Sequence, residues 1–77
     1  MEVIRDCVGR VVCKGDAGSG LIEIKYRDLV VQATLTIGET YTIEREGVIT
    51  TVTRTNDSHF SVSSRKNSGL IHMEPPV

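Results

Sequence analysis

The sequence predicts an all-β chain, with five or six short strands closing into one small barrel or sandwich. Three observations carry that prediction. Val, Ile and Thr make up 25 of the 77 residues, and β-branched side chains suit a pleated sheet better than a helix. Turn-forming clusters of Gly, Asn, Asp and Ser recur at roughly 8–12-residue intervals, the spacing of short antiparallel strands. No stretch carries a helical period of apolar residues behind an N-cap. Closing the sheet also limits the exposed edges that so β-prone a chain would present.

The elements follow in order. Val8–Lys14 is a β-prone run, and Gly15-Asp16-Ala17-Gly18-Ser19-Gly20 is a glycine-rich turn. Leu21–Arg27 holds the cleanest alternation, with Ile22, Ile24 and Tyr26 on one face and Glu23, Lys25 and Arg27 on the other. That is a half-buried strand. A bend at Asp28 leads into Leu29-Val30-Val31, apolar on toward Leu35. Thr36–Glu39 reads as a turn and Thr40–Arg45 as a strand with Tyr41 and Ile43 inward. Glu46-Gly47 is a two-residue hairpin tip, and Val48–Arg54 pairs back across it. After an Asn56-Asp57-Ser58 turn, His59–Ser63 is a strand with Phe60 and Val62 inward. A polar turn over Arg65–Gly69, a short strand at Leu70–Met73 and a loose tail at 74–77 complete a single domain over residues 1–77.

Composition argues against several functional classes. Nine Lys and Arg against ten Asp and Glu leave a formal charge of −1, spread evenly along the chain. A domain that binds nucleic acid by counterion release carries a basic excess. Neither an acidic surface mimicking nucleic acid nor a polybasic membrane tail is present. No apolar run reaches the roughly 18 residues of a bilayer span. The start, Met1-Glu2-Val3-Ile4-Arg5-Asp6, lacks the basic and apolar regions of a signal peptide. The expected location is the cytoplasm. Cys7 and Cys13 agree with it: joined by one strand, their Cα atoms would stand roughly 20 Å apart. A disulfide needs about 4.4–6.8 Å, so free thiols are expected, with Cys13 as a small buried side chain.

Candidate chemistry is sparse. The Gly15–Gly20 turn matches neither G-x-G-x-x-G nor G-x-x-x-x-G-K-[ST], and no helix follows to offer its N-terminus to a phosphate. Cys7, Cys13, His59 and His72 lack the close spacing of metal ligands. The strand alternation places both histidines on outer faces, and a Cys/His dyad would still need an oxyanion hole and an orienting group. No catalytic residue, metal or cofactor is expected. The one locally basic region runs through Arg54, His59, Arg65 and Lys66, with Asp57 its only acid. Single-strand binders stack bases on exposed aromatics beside such a groove, yet Tyr26, Tyr41 and Phe60 all fall on apolar phases. The Glu44-Arg45-Glu46 tip and the Glu23/Lys25/Arg27 face are mixed-charge surfaces of the kind that set partner choice.

Leu35-Thr-Ile-Gly-Glu-Thr-Tyr-Thr-Ile43, preceded by Val11-Val-Cys-Lys14 and followed by Thr55-Asn-Asp-Ser58, resembles the small SH3-like β-barrel proteins of bacteriophages and prophages. Those carry an early V-x-C strand, then L-T-x-G-K-x-Y-x-V, then an N-D-x-G turn. Here Glu39 stands in place of the Lys, no Gly follows Asn56-Asp57-Ser58, and the closing aromatic-rich segment gives way to Ser63–Gly69. The resemblance implies an SH3-like barrel, a phage or mobile-element origin and a non-enzymatic binding role in the host cytoplasm.

The expected function is that of a protein-binding module engaging or inhibiting a host protein. Its candidate contacts are Arg54, His59, Arg65, Lys66, Glu44, Arg45 and Glu46. Two alternatives stay open: a nucleic-acid-binding barrel using the Arg54–Lys66 region, and a self-assembling structural component of a virion. A membrane partner is not expected; a homo-oligomer is compatible with the sequence.

Overall fold

The computed structural model describes residues 1–66. It is all-β, with seven strands in two antiparallel sheets and no helix among the described residues. The first sheet is ordered β1 (Glu2–Arg5), β2 (Val11–Asp16), β3 (Leu21–Tyr26), β4 (Leu29–Thr34); the second is β5 (Thr40–Arg45), β6 (Val48–Arg54), β7 (Phe60–Lys66). Among the described residues, no hydrogen-bonded strand pair joins the two sheets. Of the barrel or sandwich expected, the described residues form two packed layers that are not closed into a barrel, with edge strands β1, β4, β5 and β7, and they hold seven strands where five or six were expected.

The extra strand is β1, of which only Ile4 is buried. One inward residue in four carries no readable period. Residues Asp6–Arg10 form its turn, so Val8–Arg10, assigned from sequence to the first β-prone run, are turn residues: the Asp6 N–H donates to the Arg10 carbonyl at 2.9 Å, and Gly9 takes a φ of 89°. That turn separates the cysteines, which are both free; Cys13 lies opposite Ile4, while Cys7 is exposed. Ile4 pairs with Cys13 but Arg5 with Val11, so Val12 is the extra residue of a β-bulge. A bulge lets consecutive residues face the same way. Val12 and Cys13 accordingly both point into the core, each 2% exposed.

Gly15, expected in a turn, sits inside β2 because Phe60 lies over it. A Cβ there would stand 2.6 Å from Phe60 Cε2. The rest of the core comes from both layers: Ile4, Ile22 and Ile24 from the first, Ile43, Val52 and Phe60 from the second, with Leu35 from the connection. Burying an aliphatic side chain of this size contributes roughly 1.5–3 kcal/mol. Thr50 is fully buried as well, and its hydroxyl is satisfied by Ser64 Oγ at 3.0 Å. Tyr41 and Ile43 face inward as expected.

Val62 does not behave as expected. It lies opposite fully buried Val52 but remains 41% exposed, because β7 is the outer strand of its sheet. Strand β7 also runs on to Lys66, so Arg65 and Lys66 are strand residues where a turn was predicted. The expected strand at Leu70–Met73, the tail at 74–77, His72 and the end of the Arg65–Gly69 turn lie outside the described residues.

Candidate functional site

The β5–β6 hairpin closes through Glu46 and Gly47, with φ of 51° and 79°, between paired Arg45 and Val48. Left-handed values at both central positions match the strand twist. The turn sets Arg45 against the first sheet. Its guanidinium lies 4.4 Å from the centroid of the Tyr26 ring and donates to the main-chain oxygens of Val11 (3.1 Å) and Lys25 (3.3 Å). Arg10 comes from the β1–β2 turn. It binds Asp6 Oδ2 at 3.1 Å, Glu46 Oε1 at 2.6 Å and the Arg45 carbonyl at 3.3 Å. Tyr26 Oη donates to Glu46 Oε2 at 3.2 Å. Arg45 and Glu46, two of the expected contact residues, thus belong to a network that ties the layers together.

Arg54 does the same at the other end of β6. Its Nε, Nη1 and Nη2 donate to the carbonyls of Ala17 (2.9 Å), Leu35 (3.0 Å) and Gly18 (3.0 Å). One planar fork thereby joins the β2–β3 turn, the β4–β5 connection and the second sheet, a geometry guanidinium suits and ammonium does not. Gly20 leaves room for it: a Cβ there would sit 2.0 Å from the Leu35 carbonyl oxygen and 2.9 Å from Arg54 Nη1.

The expected basic region does not converge. Arg54 pairs with Phe60 at one end of the second sheet and Val48 with Lys66 at the other. Six residues of strand put these ends roughly 20 Å apart. His59 is exposed beside the Arg54 end, while Arg65 and Lys66 are exposed at the hairpin end. There, Arg65 lies in one outward-facing row with Ile49 and Glu44. Phe60 is buried and Tyr41 packs on the core. Tyr26 lies between Arg27, at 5.1 Å from its centroid, and Arg45.

Among the described residues, three titrating groups are displaced from their ordinary values. Burial works against the Asp6 carboxylate. Hydrogen bonds from the Arg10 N–H (2.9 Å), Arg10 Nε (3.1 Å) and the Val8 N–H (3.1 Å) outweigh it and hold the carboxyl low. Glu39 is lowered by the Thr36 N–H at 2.7 Å. Burial pushes the Cys13 thiol up to about 11, against a small opposing pull from Arg45. All three are explained by local structure. Among the described residues, no three His, Cys, Asp or Glu side chains come together as a metal site, and no helix is long and apolar enough to cross a membrane.

No protein-family model, curated protein or solved structure matches this chain. One strand that residue chemistry passed over stands out by its geometry. Strand β4, Leu29-Val30-Val31-Gln32-Ala33-Thr34, is an edge with 62%, 51% and 37% of Leu29, Val30 and Val31 exposed. Natural edges are blunted by charge, brevity, proline or bulges. Strand β1 is short, bulged at its neighbour and carries Glu2 and Arg5; β5 carries Glu44 and Arg45; β7 carries Arg65 and Lys66. Strand β4 has no such device. Beside its partner strand, a cleft of about 230 Å³ between the layers is lined by Ile24 and Tyr26 of β3 and by Ile43, Glu44, Arg45 and Glu46 of the second sheet. The signal available in the sequence was an apolar run with neither alternation nor charge.

Proposed function

We propose that this chain is a non-enzymatic protein-binding module that takes a partner's extended segment onto the β4 edge. The observation supporting this reading is that, among the described residues, β4 is the one edge strand that carries no charged side chain while exposing a run of large apolar ones. Strand addition gains affinity from main-chain hydrogen bonds and specificity from alternate side chains. An SH3-like barrel, a phage or prophage origin, a cytoplasmic location and a host protein as target enter through the sequence resemblance. The nucleic-acid alternative is weakened by Arg54, whose Nε, Nη1 and Nη2 each donate to a main-chain carbonyl.

The test is a pull-down from bacterial lysate, with and without nuclease, using the full chain, Gln32→Pro and an Arg65→Glu/Lys66→Glu variant. A nuclease-resistant protein retained by the full chain and lost with Gln32→Pro is the expected result. Retention unaffected by Gln32→Pro but lost on charge reversal moves the site to the end of β7. Material that disappears with nuclease favours nucleic acid.

A further inference from the structure

Strand pairing settles which main-chain groups of β4 are open. The Leu35 N–H donates to the Gly20 carbonyl at 2.8 Å, in the same register that pairs Ala33 with Ile22, Val31 with Ile24 and Leu29 with Tyr26. Hydrogen-bonded and non-bonded pairs alternate along an antiparallel ladder. Leu29, Val31 and Ala33 therefore bond to β3, and the N–H and C=O groups of Val30, Gln32 and Thr34 face the open edge. Side chains divide in the same rhythm. Leu29, Val31 and Ala33 share the inner face with Ile24 and Tyr26, while Val30 and Gln32 share the outer face with Lys25 and Glu23.

Resting on the reading of β4 as a docking strand, we propose that its partner is β4 of a second copy, antiparallel, with Val31 opposite Val31 about a two-fold axis. Three features of the strand fit this one occupant. The register aligns like faces: Leu29 meets Ala33 and Val31 meets Val31, extending the apolar inner face across the axis. It also aligns bonding positions, since Val30 meets Gln32 of the second copy and each exchanges both hydrogen bonds, giving four across the axis. Charges are arranged favourably as well. The outer rows run Lys25–Val30 into Gln32–Glu23 of the second copy, so each row ends in one cation and one anion and no like charges face one another. Gln32 is already held to Glu23, its Nε2 donating to Oε2 at 3.3 Å.

A single strand pair buries less than the roughly 1,200 Å² of a standard interface, so the association is weak and needs concentrated protein. The test combines light scattering up to millimolar concentration with directed cross-linking. The full chain is expected to pass from monomer to dimer. Gln32→Pro removes an N–H that faces the open edge, a position where an edge strand tolerates proline. It should stay folded by circular dichroism and associate at least about tenfold more weakly, because two of the four cross-axis donors are gone. In a Cys7→Ser background, Val31→Cys should oxidise to a disulfide dimer, because facing Cα atoms in a non-bonded pair stand about 4.5 Å apart, within disulfide range. Thr34→Cys, far from its own copy across the axis, should not.

A chain monomeric at every concentration, or equal cross-linking at positions 31 and 34, overturns self-pairing. A monomer whose Val30 and Gln32 amides are protected means that its own chain covers the edge, and overturns it too. If the chain is monomeric yet captures a foreign protein that Gln32→Pro loses, self-pairing fails while the docking-strand reading stands. If no Gln32→Pro-sensitive capture occurs either, both fail.

Discussion

Replacing Arg54 by lysine tests the physical account of how two open sheets hold together. The guanidinium makes three charge-assisted hydrogen bonds, to Ala17, Leu35 and Gly18, and a hydrogen bond to a charged group contributes about 1.5–3 kcal/mol. The bond to Gly18 is exposed and counts at the low end. Lysine keeps the charge but can satisfy one carbonyl at most, leaving at least one of the two partly buried acceptors unpaired. The expected loss is about 2–4 kcal/mol. A domain of this length has a total stability of roughly 4–12 kcal/mol, so the variant should be severely weakened. Urea unfolding followed by far-ultraviolet circular dichroism reads the change as a lower midpoint at unchanged m. The melting temperature should fall by about 4–8 °C per kcal/mol. A loss below about 0.5 kcal/mol, the scale of an ordinary surface substitution, would refute the claim that Arg54 clamps the layers.

Two glycines with similar backbone angles should respond differently. Gly20→Ala, at φ 82° with the Leu35 oxygen 2.0 Å from the new Cβ, should cost at least about 3 kcal/mol. Gly47→Ala, at φ 79° with nothing within 4 Å, should cost only the left-handed penalty of about 1–2 kcal/mol; thermal melts compare them. Asp6 contributes acid sensitivity. Its carboxyl lies below the ordinary 3.8 in the fold, so its stabilisation is complete above that value and is lost as pH falls through the lower folded value. Asp6→Asn should be less stable at neutral pH and lose that part of the acid dependence. A thiol reagent should modify Cys7 in the native protein and Cys13 only after unfolding, because Cys13 is buried and its thiol is raised to about 11.

The sequence was most legible where one local rule acted alone. Period-2 alternation located β3 and its inward Ile22 and Ile24, and Glu46-Gly47 marked a hairpin. Strand β1 was hidden because only Ile4 points inward, and Gly15 was mistaken for a turn residue because its partner, Phe60, lies 45 positions away. Arginine roles were the least legible. Arg45 and Arg54 look like surface charges in sequence, and only tertiary packing shows their guanidiniums joined to main-chain carbonyls. The exposure of β4 was equally hidden, since Leu29-Val30-Val31 reads as core until its place at the edge of the sheet is known.

Amide hydrogen exchange at Val30 and Gln32, followed against protein concentration, tests the role of β4 most directly. Both N–H groups face the open edge, whereas that of Val31 bonds to β3. The account predicts fast exchange at Val30 and Gln32 in dilute protein, protection that rises with concentration, and steady protection at Val31. Fast exchange at Val30 and Gln32 at every concentration would contradict it.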